Sequence, residues 1–429
     1  MKKNRTEHPA PDTTFPSGRS ASTSRSPLRE ALSGTRVGLF ETVLQIGFDG
    51  VMEMLEEDRQ ALCGPPRCWQ KDRTAYRHGY GEGQLVLGGR KVTLSKPRVR
   101  SVEGREVELP SWGHFAEEDP LRRRVLEQIL VGVSSRNYAR SLEVVPEELD
   151  CAVTSRSSVS RRFVARSQAK VEEFLSRPLG DLDLPVIMLD GTGLGDHVLV
   201  VALGIDVTGK KHVLGLVEGS TESEGVCRTL LSSLIERGLN VERARLFVID
   251  GGKGIRKAIR EVFGAWALVQ RCQVHKLRNI TEHLPQGKRT WVRAAVRRAW
   301  GSDTVDKARG KLKDLASQLE TEHPGAAGSV REGLDETLTV IELGLTGWLM
   351  RTLSSTNPIE NLQGSVKRVA RNVKRWRGGT MAERWAATAL IEAEKQFRRI
   401  KGHREMSHLL RALETRVPAS ALDKKVKVA

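Results

Sequence analysis

Two short apolar runs in this chain end in the same dipeptide. Val186, Ile187, Met188 and Leu189 lead into Asp190-Gly191, and Leu246, Phe247, Val248 and Ile249 lead into Asp250-Gly251. Continuous apolar runs of this length are what strands buried on both faces look like. A single Asp-Gly step at a strand end reads first as the opening of a turn. Two buried strands that hand out the same group are harder to read that way, because a carboxylate at the edge of an apolar core needs a donor, a cation or a water-filled cleft.

The segments around these runs fix an order. VIMLD is followed by VLVVALGIDV and HVLGLVEG, with Thr208-Gly209-Lys210-Lys211 turning between the last two, then a helix over Ser223 to Arg237, then ARLFVID. Three antiparallel strands, a helix and a parallel strand form the order of a ribonuclease H-like core in an α/β protein. The spacing places the first part of that core at 183–270, an all-α insertion at 271–352 and the closing helices of the core at 353–415. From Ile255 to Leu353 the pattern is mostly helical with little strand character, and it is strongly basic at RTWVRAAVRRAW. LSSTNPIENLQGSVKRVARNVKRW then starts a helix, since Thr356-Asn357 supplies a cap, Pro358 suits the first turn and Glu360 lies within it. That helix is predicted to run on through Lys367, Arg368, Arg371, Lys374 and Arg375. Asn357 and Glu360 are also spaced as a capping box, which would leave Glu360 with a structural task.

Ahead of the core, residues 1–30 are rich in Ser, Pro, Thr and Arg and read as a disordered tail. Residues 31–115 carry a helix, with Phe40, Val43, Leu44, Phe48, Val51, Met52 and Leu55 at helical spacing, and a hairpin turning at Gly88-Gly89. The hairpin's Arg90, Lys91, Lys96, Arg98 and Arg100 make a basic ribbon. Residues 116–180 read as three helices, LRRRVLEQILVGV, RNYARSLEVV and SSVSRRFVARSQAKVEEFLSR. A turn before the third presents Arg156, Ser157, Ser160 and Arg161, as a helix-turn-helix would present them to a DNA groove. The N-terminal region is thus expected to be mostly helical and DNA-binding.

Charge supports a polyanionic partner: 70 Lys and Arg against 53 Asp and Glu give +17 and a pI near 9.9. No apolar run approaches the ~18 residues of a membrane span. Five scattered cysteines suit a reducing cytoplasm, and Cys63 and Cys68 read as free thiols ahead of half a zinc site, for want of a second pair.

Two Asp at the ends of neighbouring core strands and a Glu on a later helix supply the hard oxygen ligands of a two-ion Mg²⁺ or Mn²⁺ centre for phosphoryl transfer. At these residues the chain resembles the DDE transposases of bacterial insertion sequences related to the eukaryotic Mutator elements. The resemblance rests on MLDG with Asp190, VIDGGKG with Asp250, QRCQVHKLRNI with Cys272 and His275, and STNPIEN with Glu360, and it spans roughly Gly79 to Leu410. It implies an enzyme that binds the terminal repeats of its element, cuts there and joins the ends to target DNA. Asp190, Asp250 and Glu360 would be the catalytic metal ligands, and the Cys-x-x-His pair would stand outside that triad. It also implies a bacterial cytoplasmic protein working at the nucleoid. A ribonuclease H-like nuclease or resolvase without strand transfer, and an inert DNA-binding protein on the same fold, are the alternatives. Holding two element ends together requires at least a homodimer, for which the helix from Phe40 to Leu55 is one candidate surface; packing within its own chain is the other reading.

Overall fold

The computed structural model describes residues 38–68, 73–87, 90–116, 120–142, 149–152, 155–219 and 221–416. The tail at 1–30 and the Gly88-Gly89 turn lie outside them. The described residues form two compact units, one drawn from 1–119 and 142–154, the other from 120–141 and 155–429.

In the first unit, α1 (Gly38–Cys63) lies on a hairpin of β1 (Ala75–Leu87) and β2 (Arg90–Ser101). Val51 and Leu55 share a core with Leu85, Leu94 and Val99, and Phe48 and Met52 are half-buried against it. The helix therefore has a core face of its own. What stays outside is a narrower stripe of Val43, Ile46 and Met54, which are 52%, 51% and 39% exposed. Strand pairing is irregular between Arg77 and Tyr80, where Gly79 turns the chain with a φ of 73°. The buried Arg59 donates to the Tyr80 hydroxyl across this bulge at 2.8 Å.

The basic ribbon is partly spoken for. Arg98 is ion-paired with Glu106 of β3 (Glu106–Val107), and the Lys96 ammonium stands 4.7 Å from the ring centre of Trp112 in α2 (Pro110–Ala116). Cys63 is buried at the end of α1, while Cys68 is exposed. β4 (Cys151–Ala152) pairs antiparallel with β2 and completes this sheet.

The second unit begins with α3 (Pro120–Leu130), which packs on α4 (Arg156–Ser176). Of the middle helix expected at RNYARSLEVV, the described residues 136–142 form turns and the single 3₁₀ turn Ala139–Ser141, and 143–148 lie outside the described residues. Pro146 disfavours helical backbone at the residue before it. By residue 151 the chain is extended, paired with β2 of the other unit's sheet. Residues 116–180 are thus not one compact helical body, and α4 gives Val171 and Phe174 to the core of the large sheet.

That sheet holds β5 (Val186–Leu194), β6 (His197–Ile205), β7 (Lys211–Gly219), β8 (Arg245–Ile249) and β9 (Ala267–Arg271), in the spatial order β7-β6-β5-β8-β9. β6 runs antiparallel to both of its neighbours, β7 and β5, while β8 and β9 run parallel to β5. β9 corrects the expectation of little strand character after Ile255. It is five residues long and ends in Gln-Arg, too short and too polar for an apolar run to announce it.

Alternate residues of each strand feed two layers, as strand geometry requires. Ile187, Leu189, Phe247 and Ile249 meet α5 (Glu224–Glu236) and α6 (Lys253–Phe263) on one face. Val186, Met188, Leu246 and Val248 meet the closing helices on the other. Between β9 and those helices, α7 (Gln273–Glu282), α8 (Gln286–Trp300), α9 (Val305–Leu319) and α10 (Pro324–Arg331) surround a core of their own with Val292, Val296, Leu312 and Leu315. The buried Gln270 side chain ties this helical segment to the sheet, donating to the Thr337 carbonyl at 3.2 Å and accepting from the Val340 amide at 2.9 Å. The short α11 (Thr339–Glu342) and α12 (Gly347–Leu353) lead to α13 (Asn357–Ala370), α14 (Gly379–Glu394) and α15 (Met406–Glu414). Helix α13 stops at Ala370, so Arg371, Lys374 and Arg375 lie beyond it and not along it as expected. There the chain turns, and the Asn372 side chain donates to the Gly132 carbonyl at 2.6 Å.

Candidate active site

Asp190 is not at a strand end. β5 continues to Leu194 and stays paired with β6 throughout, but its pairing with β8 stops at Leu189 opposite Ile249. From Asp190 onward that edge of β5 has no β8 partner, so Asp190 lies where the parallel β8 ends, the position at which ligand sites occur in open sheets. Asp250 is the first residue past β8. Its carboxylate accepts the Gly252 amide at 2.8 Å, a local turn that Gly251 completes with a φ of 113°.

Helix α13 brings the third acid. Its N-cap is Thr356 and not Asn357, and no side chain caps the helix, so the capping box is absent. The Thr356 hydroxyl instead donates to the Glu360 carboxylate at 2.5 Å. The same hydroxyl lies 3.3 Å from Cys272 Sγ and 3.4 Å from His275 Nδ1, and the Thr356 amide donates to that sulfur at 3.4 Å. Cys272 directly follows β9 and His275 is on the first turn of α7, so the Cys-x-x-His motif is joined to Glu360 through one threonine. One turn past Glu360, Gln363 donates to Asp190 Oδ2 at 3.0 Å and to the Gly191 carbonyl at 3.1 Å.

The electrostatics gather these groups into one site. Asp190 is 7% exposed, and burial first, then the charges of Asp250 and Glu222, push its carboxyl up from 3.8 to about 7; Glu360 adds to this and His275 opposes it. Burial, then Asp250, also raises Glu222. His275 is raised to about 9, chiefly by its hydrogen bond to Cys272 and against desolvation, with Glu360 and Asp190 assisting. Burial pushes the Cys272 thiol up, but the hydrogen bonds from His275 and Thr356 outweigh it and leave it below its ordinary value. The three acids of the triad are not drawn into a tight knot. Among the described residues, the group whose ligand atoms all lie within 4.8 Å of one another is Cys272, His275 and Glu360.

Three residues here escaped the sequence reading: Glu222, Thr356 as a hydrogen-bonding partner, and Gln363. The available signals were weak. Gln363 is three residues after Glu360 on one helix face, and Glu222 immediately precedes Ser223, the residue that caps α5.

The residues expected to contact DNA fall in two places. Arg156, Ser157, Ser160 and Arg161 are exposed on the first turns of α4, opposite the buried Val159 and Phe163. Lys367 and Arg368 are exposed on α13, and Arg371, Lys374 and Arg375 are exposed beyond its end.

Residues 28–400 match the family described as "Transposase, Mutator family". The chain is 28% identical over 270 residues to a transposase for insertion sequence element IS6120 from Mycolicibacterium smegmatis, covering 62% of this chain and 81% of that one. It is 27% identical over 348 residues to the transposase for IS256 in transposon Tn4001 of Staphylococcus aureus, with 76% and 83% covered. Against the transposase for ISRM5 of Rhizobium meliloti it is 27% identical over 361 residues, with 81% and 85% covered.

The strained Asp190 gives a pH prediction. Its proton is held more tightly in the folded chain than in the unfolded one, so without metal the fold loses stability as pH rises from 3.8 to about 7, at up to about 1.4 kcal/mol per pH unit. In EDTA, Asp190→Asn should melt well above wild type at pH 8, with the gap shrinking steadily toward pH 5. Parallel melting curves across that range would disprove the strain.

Proposed function

The chain belongs to the Mutator family of transposases, and from that premise we propose that it binds the terminal repeats of its element, cleaves phosphodiester bonds there and joins the 3' ends to target DNA. In this reading the five-stranded sheet with α13 is a ribonuclease H-like core, and the helical segment at 271–352 is inserted into it. The observation that carries the proposal is Asp190: a nearly buried carboxylate with Asp250, Glu222 and Glu360 all raising its pKa. Such a cluster of like charges suits divalent cations, and its carboxylate oxygens fit Mg²⁺ or Mn²⁺. Asp190, Asp250 and Glu360 would hold two ions. When bound, these would supply charge for activating the attacking oxygen and stabilising the leaving one.

The chain's own residues do the positioning. Gln363 fixes Asp190 by holding Oδ2, and the Gly252 amide fixes Asp250. Thr356 fixes Glu360 and links it to His275. The Cys-x-x-His pair thus acts as packing beside the site. Double-stranded DNA would lie on the exposed basic faces of α4 and of the segment from Lys367 to Arg375, in keeping with the net charge of +17. A homodimer would use Val43, Ile46 and Met54, the apolar stripe that the first unit leaves outside its core.

Asp190→Asn, Asp250→Asn and Glu360→Gln keep shape but remove a ligand charge. Each should cut cleavage of end-containing DNA in Mg²⁺ to below about a tenth of wild type while leaving DNA affinity largely intact. An active Glu360→Gln would return that residue to a structural role.

For DNA recognition, Arg156→Ala with Arg161→Ala should erode discrimination between element ends and random duplex, whereas Lys374→Ala should weaken both alike and reduce the salt slope by about 0.9. Unchanged discrimination in the first pair would rule out α4 as the reading helix.

For assembly, Val43→Asp with Ile46→Asp should turn a dimer into a monomer in light scattering at micromolar concentration. Phe48→Asp, in contrast, should destabilise the first unit, because Phe48 faces its core. A wild type that stays monomeric with and without end DNA would refute the dimer.

A further inference from the structure

Glu222 belongs to none of the motifs that led to the triad. It stands between β7 and α5, in a stretch whose backbone is pinned at both sides. Ser223 caps α5 by accepting the Val226 amide at 3.4 Å. The Glu222 carbonyl lies 2.6 Å from where a side chain on Gly254 would begin, so the first turn of α6 packs directly on this peptide. Its carboxylate occupies the space that a side chain at residue 191 would otherwise fill: a Cβ there would fall 1.8 Å from Oε1 and 2.4 Å from Cδ. The other carboxylate oxygen reaches toward Gly252, 3.6 Å from the position of its missing Cβ, while Asp250 Oδ1 lies 3.3 Å from that same point. Gly191, directly after Asp190, and Gly252, two residues after Asp250, therefore frame one more acid.

Glu222 is half-buried, and among the described residues no cation or hydrogen-bond donor reaches its carboxylate. An acid with only a loop's task would turn to solvent or to a lysine, since burying an uncompensated charge is unfavourable. Glu222 turns instead toward two other carboxylates.

Resting on the two-cation reading above, we infer that Glu222 is the fourth carboxylate of the centre, a ligand to the divalent ion that Asp190 and Asp250 share. A Cβ at residue 191 would push the Glu222 carboxylate out of this position.

The test is Mn²⁺ binding by the full-length protein, read from the loss of the free-ion EPR signal. Wild type should take up two ions per chain. Glu222→Gln should lose one of them or bind it about tenfold or more weakly, and Gly191→Ala should do the same with Glu222 still present. Asp190→Asn should impair both. Melting in EDTA checks that Glu222→Gln folds; should it not, Glu222→Asp, which keeps the charge but withdraws it by one methylene, should bind the second ion at intermediate strength. If Glu222→Gln binds Mn²⁺ as wild type does while Asp190→Asn does not, Glu222 is no ligand and the two-cation reading survives. If wild type takes up no Mn²⁺, or Asp190→Asn binds it unchanged, the two-cation reading fails and this inference with it.

Discussion

A carboxylate placed in the middle of an apolar strand sets the terms for everything packed around it. Asp190 follows four buried aliphatic residues and is itself nearly buried, so the fold must either neutralise it or surround it with groups that make its charge useful. The sheet does the second. β8 stops one residue short of Asp190, which leaves one edge of β5 open, and the helix that covers that face contributes an amide, Gln363, and no cation. The other acids are then brought in by elements from distant parts of the sequence. Asp250 comes from the end of β8, Glu360 from α13, and Glu222 from the turn after β7. Each makes Asp190 harder to ionise, and each gives the next a reason to be there.

Much of this was legible in the sequence because it was written in short-range patterns. The buried strands announced themselves as aliphatic runs, and the helix carrying Glu360 announced itself by Thr356-Asn357-Pro358. What could not be read depended on tertiary geometry. β9 is a short strand with a polar end, recognisable only once β8 offers it a partner. The end of α13 at Ala370 is marked by no glycine or proline; RNVKRW has ordinary helical composition, and the chain leaves the helix to place Asn372 on Gly132. Glu222 carried only a weak signal because its position depends on what is missing two strands away, a Cβ at residue 191. For Phe48 the helical periodicity was right, but which part of the apolar stripe meets the hairpin is settled by the hairpin's own face, with Leu85, Leu94 and Val99 turned inward.

Thr356 shows how a residue with no chemistry of its own can join two motifs. Its hydroxyl and amide together reach Cys272, His275 and Glu360, so the pair after β9 and the acid on α13 share one hydrogen-bonding hub. Serine could keep those bonds, while valine, of nearly the same shape, would leave three polar partners without it in a mostly buried place.

The discontinuous path of the chain also governs how the molecule can be made and divided. β4, which completes the first unit's sheet with Thr93 donating to the Asp150 carbonyl at 2.8 Å, comes after α3, which belongs to the second. A ribosome releasing this chain must therefore deliver the opening helix of the second unit before the first unit has received its last strand, so the order of synthesis is not the order of the units. No single peptide bond separates them. A fragment ending at 119 lacks β4, and one starting at 155 lacks α3, so any protease or gene truncation that seeks one unit alone leaves an unpaired edge or an uncovered helix face behind.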